Sequence, residues 1–389
     1  MTGRQTVPLG SVAYINPNLG TVGFDADELV DFVPMAAVEA DASITASLEA
    51  RPYEEVKKGY TYFADGDILL AKITPCFENG KISQIRIRSA AGFGSTEFHV
   101  IRPQSDKLDA RYLVHLLRQE KIRTEGERRM TGSAGQRRVP KSFLESLPVF
   151  LPPLAEQRRI AAILDKADAL RTKRREALAQ LDRLAQSIFV EMFGDQNAHE
   201  QKLLQDLCEL ITDGTHQTPT YADEGVIFLS AKNVTSGEID WERIKYIPQS
   251  LHLELHRRLA PRVGDILLAK NGTTGVAAVV DRDCIFDIYV SLALLRPRPD
   301  VLPKYLLAAI NSPASKKQFN NSLKGIGVPN LHLKEIRQVL VPSPSQDEQR
   351  KFVSRMDALA DLRRKAGDAL VETESLFAAL QHRAFRGEL

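Results

Sequence analysis

The stretch GDILLAKI at residues 66–73 returns as GDILLAKN at residues 264–271, about half of the 389-residue chain later. Further pairs keep the same order and a similar spacing: Leu9 and Val12 with Leu204 and Leu207, Phe32 to Val38 with Phe228 to Val234, IRP at 101–103 with LRP at 295–297, Val139-Pro140 with Val328-Pro329, and Glu156-Gln157-Arg158 with Glu348-Gln349-Arg350. A collinear series of this kind indicates a duplicated unit. Two copies of one unit usually pack about a pseudo-twofold axis, which suits a bipartite ligand.

The composition is that of a globular protein, with 43% hydrophobic and 26% charged residues. The net charge of +2 neither demands nor excludes a nucleic-acid partner. Cys76, Cys208 and Cys284 form no CxxC pair or Cys/His cluster, so we expect no metal site and no disulfide framework. The chain shows no signal peptide and no apolar run of about 20 residues, so we expect a cytoplasmic protein.

Two long helices are predicted from heptad patterns and boundary signals. The first follows Pro152-Pro153, ends near Phe193, and contains no internal Gly or Pro. The second runs from about Gln346 to Arg386. Residues spaced by seven form two predicted rows on each helix. On the first helix, one row is Ile160, Ala167, Leu181 and Ile188, interrupted by Arg174, and the other is Ile163, Leu170, Ala177 and Leu184. On the second helix, one row is Phe352, Leu359, Ala366, Thr373 and Leu380, and the other is Met356, Arg363, Leu370, Phe377 and Ala384.

These patterns predict an α+β fold. Two pseudo-symmetric mixed α/β domains, at 1–150 and 195–344, are joined by long helices at 151–194 and 345–389. Short apolar runs punctuated by Gly, Pro and Asn indicate the strands of each domain. Two equal seams in one chain most simply pair with each other, so we expect an antiparallel coiled-coil spacer.

Several of these segments resemble type I restriction-modification specificity subunits. LPPLAEQRRIAAILDKADAL at 151–170 resembles the start of that family's central helix. DGTHQTP at 213–219 and GDILLAKNGTTG at 264–275 resemble parts of its target-recognition domain. TGSAGQRRVPKSFLESLPVFLPP at 131–153 looks like the connection from such a domain into its helix, and VPNLHLKEIRQVLVPSPSQDEQR at 328–350 is its second copy. The resemblance covers essentially the whole chain.

The chain departs from that family's pattern in two segments, which the resemblance implies are ones that vary with the target sequence. INPNLG at 15–20 stands where DGTH would be expected, and KGIGVPN at 324–330 replaces GQRRVPK. The resemblance implies that each domain reads one half of a bipartite, asymmetric target in double-stranded DNA. It also implies that the helices form a spacer and a platform for two methyltransferase (M) subunits, which restriction/translocase (R) subunits join. S-adenosylmethionine, ATP and Mg²⁺ would then bind to these partners, and this chain would be no enzyme.

Candidate DNA-binding residues lie on loops that carry donors for phosphates and base edges. In the first copy they are Lys72, Thr74, Lys81, Arg128, Arg129, Ser133, Gln136, Arg137 and Arg138. In the second copy they are Thr215, His216, Lys232, Asn233, Lys270, Asn271, Thr273, Lys324 and Asn330. The alternative is that the basic loop is a solvated surface and that the lysines simply end their strands. The Gly-Asp pairs at 66–67 and 264–265 are interpreted as structural turns.

Enzyme signatures do not occur in the sequence: it has no GxxxxGK[ST], no NPPY-like or DPPY-like methyltransferase motif and no HExxH. His216 has no neighbouring serine or carboxylate in a catalytic pattern. The Glu-Gln-Arg triplets at the starts of both helices indicate a shared packing or docking role. Two other functions stay open: a coiled-coil scaffold that assembles proteins without reading DNA, and the recognition part of a related phage-defence or single-chain restriction-methylation system.

Overall fold

The computed structural model describes residues 6–18, 23–40, 44–46, 49–133, 135–195, 198–234, 237–272, 274–322 and 330–389. The chain divides into two compact units. Unit 1 comprises Met1–Ala177 and Ala366–Leu389, and unit 2 comprises Leu178–Lys365. Each long helix contributes one segment to each unit.

Unit 1 is built on two mixed sheets and a short ribbon. Its strands are β1 (Thr6–Pro8), β2 (Ala13–Ile15), β3 (Leu29–Val33), β4 (Ile44–Ala46), β5 (Glu49–Pro52), β6 (Thr61–Phe63), β7 (Ile68–Ala71), β8 (Ile82–Arg86), β9 (Gly92–Gly94), β10 (Phe98–Pro103) and β11 (Pro148–Phe150). Its helices are α1 (Tyr53–Val56), α2 (Ala110–Leu117), α3 (Glu120–Arg128), α4 (Lys141–Ser146) and the start of α5 (Leu154–Phe193). The sheet orders are β2-β10-β7-β8-β4, β5-β3-β9-β6 and β1-β11.

Unit 2 repeats this arrangement. Its strands are β12 (Gln201–Leu203), β13 (Cys208–Asp213), β14 (Val226–Leu229), β15 (Lys245–Ile247), β16 (Ile266–Ala269), β17 (Ala277–Val279), β18 (Phe286–Ile288), β19 (Leu292–Pro297) and β20 (Leu340–Pro342). Its helices are α6 (Leu204–Leu207), α7 (Gln249–Arg258), α8 (Pro303–Asn311), α9 (Pro313–Ser322), α10 (Leu333–Arg337) and the start of α11 (Gln346–Ala384). The sheet orders are β13-β19-β16-β17, β15-β14-β18 and β12-β20, and β14 pairs with β18 in parallel, as β3 does with β9.

The repeated Gly-Asp turn is structural in both units, as predicted. Gly66 has φ +81°, in the left-handed region that glycine adopts readily. The next residue, Asp67, is buried and accepts a forked pair of hydrogen bonds from Arg102, at 2.8 and 2.7 Å. In unit 2, Arg296 donates to Asp265 with the same two distances. The IRP and LRP matches therefore reflect a repeated ion pair with a buried carboxylate, which ties β10 to the turn before β7 in unit 1 and β19 to the turn before β16 in unit 2.

One predicted match between the copies is wrong. The sequence pairs Val139 with the Val-Pro dipeptide at 328–329, which lies outside the described residues. The main-chain N–H of Val139 donates to the carbonyl of Lys72 at 2.9 Å, and in unit 2 it is Leu331 that donates to Lys270 at 3.0 Å. Leu331 is therefore the structural equivalent of Val139. A match of only two residues, Val-Pro, is too short to align the two copies here, where main-chain hydrogen bonds determine which residues correspond.

The long helices pair in antiparallel fashion within each unit. In unit 1, Arg175 on α5 reaches Glu374 on α11 at 2.8 Å. In unit 2, Asp182 on α5 accepts from Arg363 on α11 at 2.8 Å. One predicted row of α11 is confirmed, because three of its members are buried and the other two are half-buried: Phe352, Leu359, Ala366, Thr373 and Leu380.

The second predicted row of α5 is wrong, because Leu170 and Leu184 are 43% and 46% exposed. The buried positions of its first half are instead Gln157, Ile160, Ala161, Leu164 and Asp168. These side chains face the globular part of unit 1 as well as α11. On a helix that packs against two neighbours, the buried positions recur with the helical period of 3.6 residues. The predicted row assumed a coiled-coil seam, in which buried positions recur every 3.5 residues.

The Glu-Gln-Arg triplets fasten each long helix to its own domain. Gln157 is fully buried, accepts from the main-chain N–H of Asp109 at 2.8 Å, and donates to the carbonyls of Lys107 and Pro152. Gln349 repeats this geometry in unit 2, accepting from Leu302 at 2.8 Å. One buried amide therefore satisfies three main-chain groups where the chain turns into the helix.

Candidate nucleic-acid interface

In unit 1, three separate chain segments meet at the end of β7. The N–H of Lys72 donates to the carbonyl of Glu97 at 2.9 Å, and the N–H of Val139 donates to the carbonyl of Lys72. The N–H of Thr74 donates to the carbonyl of Arg137 at 3.0 Å. The predicted strand-end lysine and the predicted arginine loop are therefore brought together, although more than sixty residues of chain separate Thr74 from Arg137.

The two loop arginines differ in how far they are already engaged. Arg138 donates a forked pair of hydrogen bonds to Glu97, at 2.8 and 2.7 Å. This pairing, helped by the nearby Lys72 charge, holds the pKa of Glu97 below its usual range. Arg137 is 42% exposed, and its guanidinium lies 3.7 Å from Glu127. Arg137 is thus the more available of the two for a ligand phosphate.

Four other predicted residues of this loop are exposed. Arg128 ends α3, and Arg129 follows it with an ion pair to Glu125 at 2.9 Å. Ser133 accepts the N–H of Gln136 at 3.1 Å through its main-chain carbonyl. All four side chains lie at the surface, where they offer guanidinium, hydroxyl and amide groups.

Thr74 and Lys81 take part in contacts within the unit. The Thr74 hydroxyl donates to Glu78 at 2.7 Å, and the Lys81 ammonium donates to the carbonyl of Met35 at 3.1 Å. Both side chains are half-buried, so they shape the loop after β7.

In unit 2, the equivalent strand-end lysine is buried. Lys270 is 7% exposed, and its ammonium lies 2.6 Å from Asp213, which is 11% exposed. Burial raises the pKa of Asp213, but Lys270 and the His216 imidazole outweigh burial and hold that pKa below its usual range. Lys270 therefore supports the start of the DGTHQTP segment and presents no free charge to a ligand.

The DGTHQTP segment lies beside the end of β18. The N–H of Thr215 donates to the carbonyl of Ile288 at 3.1 Å, and Val290 donates back to Thr215 at 2.9 Å. His216 is 75% exposed and lies 3.4 Å from Asp213. The segment is thus held by its main chain while the His216 ring faces outward.

The remaining predicted residues of unit 2 divide by exposure. Lys232 is exposed, whereas Asn233 is buried and its amide is bonded to the main chain at Ser230, Asp240 and Arg243. Asn233 therefore has a structural role in closing the turn after β14.

Asn271 and Asn330 form a β-bridge, in the position of Ile73 and Arg138 in unit 1. Both asparagines are half-buried. Two further predicted residues, Thr273 and Lys324, lie outside the described residues.

Sequence reasoning missed an aromatic and basic patch next to this segment. The Thr218 hydroxyl lies 3.3 Å from the hydroxyl of Tyr289. The Lys245 ammonium lies 3.8 Å over the ring of Tyr221, which is 41% exposed. Tyr221 stands two residues after DGTHQTP, and that proximity is the signal that could have drawn attention to it.

The two units therefore present different chemistry at equivalent positions. Unit 1 offers arginines and an amide on its loop after α3, whereas unit 2 offers an imidazole, hydroxyls, two tyrosines and a lysine. Guanidinium and amide groups can bind phosphates and base edges, and hydroxyls can bind either. Each surface is suited to nucleic acid, and the two are not interchangeable.

Comparisons with known proteins identify the family of the chain. Residues 6–181 and 199–366 match the family model described as the type I restriction modification DNA specificity domain. The chain therefore belongs to the type I restriction-modification DNA specificity family. The EcoEI and EcoAI specificity subunits of Escherichia coli are 38% and 36% identical over 203 residues. Each match covers 51% of this chain and 34% of the relative, so the aligned segment spans well under half of those relatives.

A solved chain from a study of complex assembly and conformational transition of the type I R-M system shares the fold. It has a TM-score of 0.65 and 22% identity, and the match covers 100% of this chain and 99% of that one. Within the described ranges, no helix is both long enough and apolar enough to cross a membrane.

Proposed function

We propose that this chain is the DNA sequence-specificity subunit of a type I restriction-modification complex. In this proposal each unit reads one half of a bipartite, asymmetric target in double-stranded DNA. The observation that carries it is the pairing of one duplicated fold with two chemically different loop surfaces. A duplicated reader with identical surfaces would favour a symmetric target. The rival, a protein-assembly scaffold without DNA readout, is not favoured by membership of a DNA specificity family.

The proposed contacts divide into phosphate and base contacts. Arg128, Arg129 and Arg137 would bind phosphates in one half-site, and Gln136 would contact a base edge. In the other half-site Lys232 and Lys245 would bind phosphates, and His216 would contact a base edge. Arg138, Lys270 and Asn233 would act through the loops that they hold, because their polar groups are engaged within their own unit.

The long helices would bind the partner subunits. Large apolar side chains remain exposed along them: Leu170, Val371 and Leu376 in unit 1, and Leu184, Val190 and Leu362 in unit 2. Exposed apolar side chains that cluster on a surface often mark an interaction site. Two M subunits would dock at these side chains and R subunits would join them, with S-adenosylmethionine, ATP and Mg²⁺ bound to those partners. The chain itself would supply no catalytic residue and would act in the cytoplasm, where its DNA lies.

The test is the methylation pattern of cells that express the cognate M subunits with and without this chain. With the chain, sequencing that detects N6-methyladenine should reveal one two-part motif with unlike halves. Without it, that motif should be unmethylated. Methylation of the same motif in both strains would contradict the proposal.

A further inference from the structure

Two histidines and an aspartate converge within unit 2. His252 and His256 lie one helical turn apart on α7, and Asp287 lies on β18. The Nδ1 atom of His252 is 2.8 Å from one carboxylate oxygen of Asp287, and the Nδ1 atom of His256 is 3.5 Å from the other. The three side chains can place one ligand atom each within 4.8 Å of one another.

The hydrogen bonding of this cluster is incomplete. Asp287 is 2% exposed, and its Oδ1 atom has no hydrogen-bond donor among the described residues. The Nδ1 atom of His256, which faces that oxygen, is also buried without a hydrogen-bond partner in the described part of the chain. Buried polar atoms are normally satisfied, so two facing orphan atoms call for a third group between them.

The fold itself does not require a carboxylate at this position. In the β-sheet register of unit 2, Asp287 pairs with Phe228, and the matching pair in unit 1 is Phe93 with Phe32. Phe93 packs in an apolar cluster there. Replacing a buried aromatic ring by a buried carboxylate is costly unless the carboxylate gains strong partners.

We propose that His252, His256 and Asp287 bind a divalent transition-metal ion of the zinc class. Two imidazole nitrogens and a carboxylate oxygen are the three-protein-ligand set that zinc accepts, with a fourth position left for water. At metal–ligand distances of about 2.0–2.2 Å, tetrahedral ligand atoms lie about 3.4 Å apart. The two nitrogen–oxygen separations in this cluster, 2.8 and 3.5 Å, lie on either side of that value. In the sequence, the spacing of four residues between His252 and His256 is the signal for this site. The expectation that the chain has no metal site considered only cysteine-containing clusters, so it overlooked this pair.

The ion would fasten the helix to the strand that positions the DGTHQTP segment. Arg258, on the same helix, donates to the carbonyl of Asp213 at 2.9 Å. On the strand, Ile288 follows Asp287 and accepts the N–H of Thr215. Both α7 and β18 therefore hydrogen-bond to the start of the DGTHQTP segment, and an ion that joins them would hold the two bonds in a fixed relation. This consequence for DNA binding rests on the proposed function, whereas the metal site does not.

The first experiment measures metal binding by the full chain after removal of metals with a chelator. Calorimetric titration with Zn²⁺ should give one high-affinity ion per chain, and Co²⁺ should give the visible absorption of a tetrahedral site. His256→Ala should weaken binding at least tenfold, as should Asp287→Asn. His382→Ala, an exposed histidine on α11, is the matched control and should bind as the unaltered chain does.

Binding that is absent, or equally strong in His256→Ala, would overturn the proposal and leave a simple His252–Asp287 hydrogen bond. His256 is 33% exposed, so its replacement is the milder change if Asp287→Asn fails to fold. A second measurement separates the two proposals. Zn²⁺ should raise the Tm of the unaltered chain whether or not DNA is bound, and should strengthen binding to one half-site only if the DNA-reading role is also correct.

Discussion

The salt dependence of DNA binding should distinguish the two adjacent loop arginines. Each phosphate contact contributes a slope of about −0.9 to the logarithm of the binding constant against the logarithm of salt concentration. Arg137 is 42% exposed with its nearest carboxylate 3.7 Å away, so Arg137→Ala should flatten the slope by about one contact. Between 50 and 200 mM salt, the unaltered chain should then lose about 3.5-fold more affinity than the variant.

The matched control removes Arg138 together with its partner. Arg138 and Glu97 already neutralise each other, so replacing both by glutamine removes no net charge from the surface. The slope of that double variant should equal that of the unaltered chain. Lys107→Ala, exposed near the start of α5, serves as a remote single-charge control in the same unit.

Fluorescence anisotropy of labelled duplex at several salt concentrations, with the M subunits present, would measure the slopes. An unchanged slope in Arg137→Ala would place this loop away from DNA. A flatter slope in the Glu97→Gln, Arg138→Gln variant would show that Arg138 leaves Glu97 to bind a phosphate. Either result would refute the division of roles between Arg137 and Arg138.

Three further outcomes are expected. Gln157→Ala should lower the free energy of unfolding by about 1–3 kcal/mol in urea titrations, because buried main-chain groups lose their partner; an unchanged value would contradict the anchoring role. Burial lowers the pKa of His99 and His115, so the unfolded chain binds protons more readily than the folded one. Stability should therefore decline as the pH falls below about 6.5, and a Tm that stays constant from pH 7 to 5.5 would argue against it. Leu170→Glu should abolish co-purification with the M subunits without changing the Tm, whereas Lys173→Glu should not; unimpaired co-purification would remove Leu170 from the docking surface.

The elements with strong local signals could be predicted from the sequence. The boundary residues predict the first long helix after Pro152-Pro153 and up to Phe193, and it runs over Leu154–Phe193. The buried strands after Gly66 and Gly264 appear at matching positions in both units. These features depend on helix boundary residues and on short apolar runs, which are written in neighbouring residues.

The roles of charged residues could not be predicted in the same way. Arg138 is paired with Glu97, and Lys270 with Asp213, across 41 and 57 residues of chain. A basic residue at a strand end looks identical in sequence whether it faces solvent or a buried carboxylate. Only the register of the sheets brings each partner into place, and a register is decided by main-chain pairing over several strands.

A domain exchange tests most directly whether each unit reads its own half-site. Residues 1–150 would be replaced by the equivalent domain of a family member with a known, different target, and methylated motifs would be sequenced in cells that supply the M subunits. We predict that one half of the motif changes and the other half stays the same. A change in both halves, or in neither with methylation retained, would contradict the reading of one half-site by each unit.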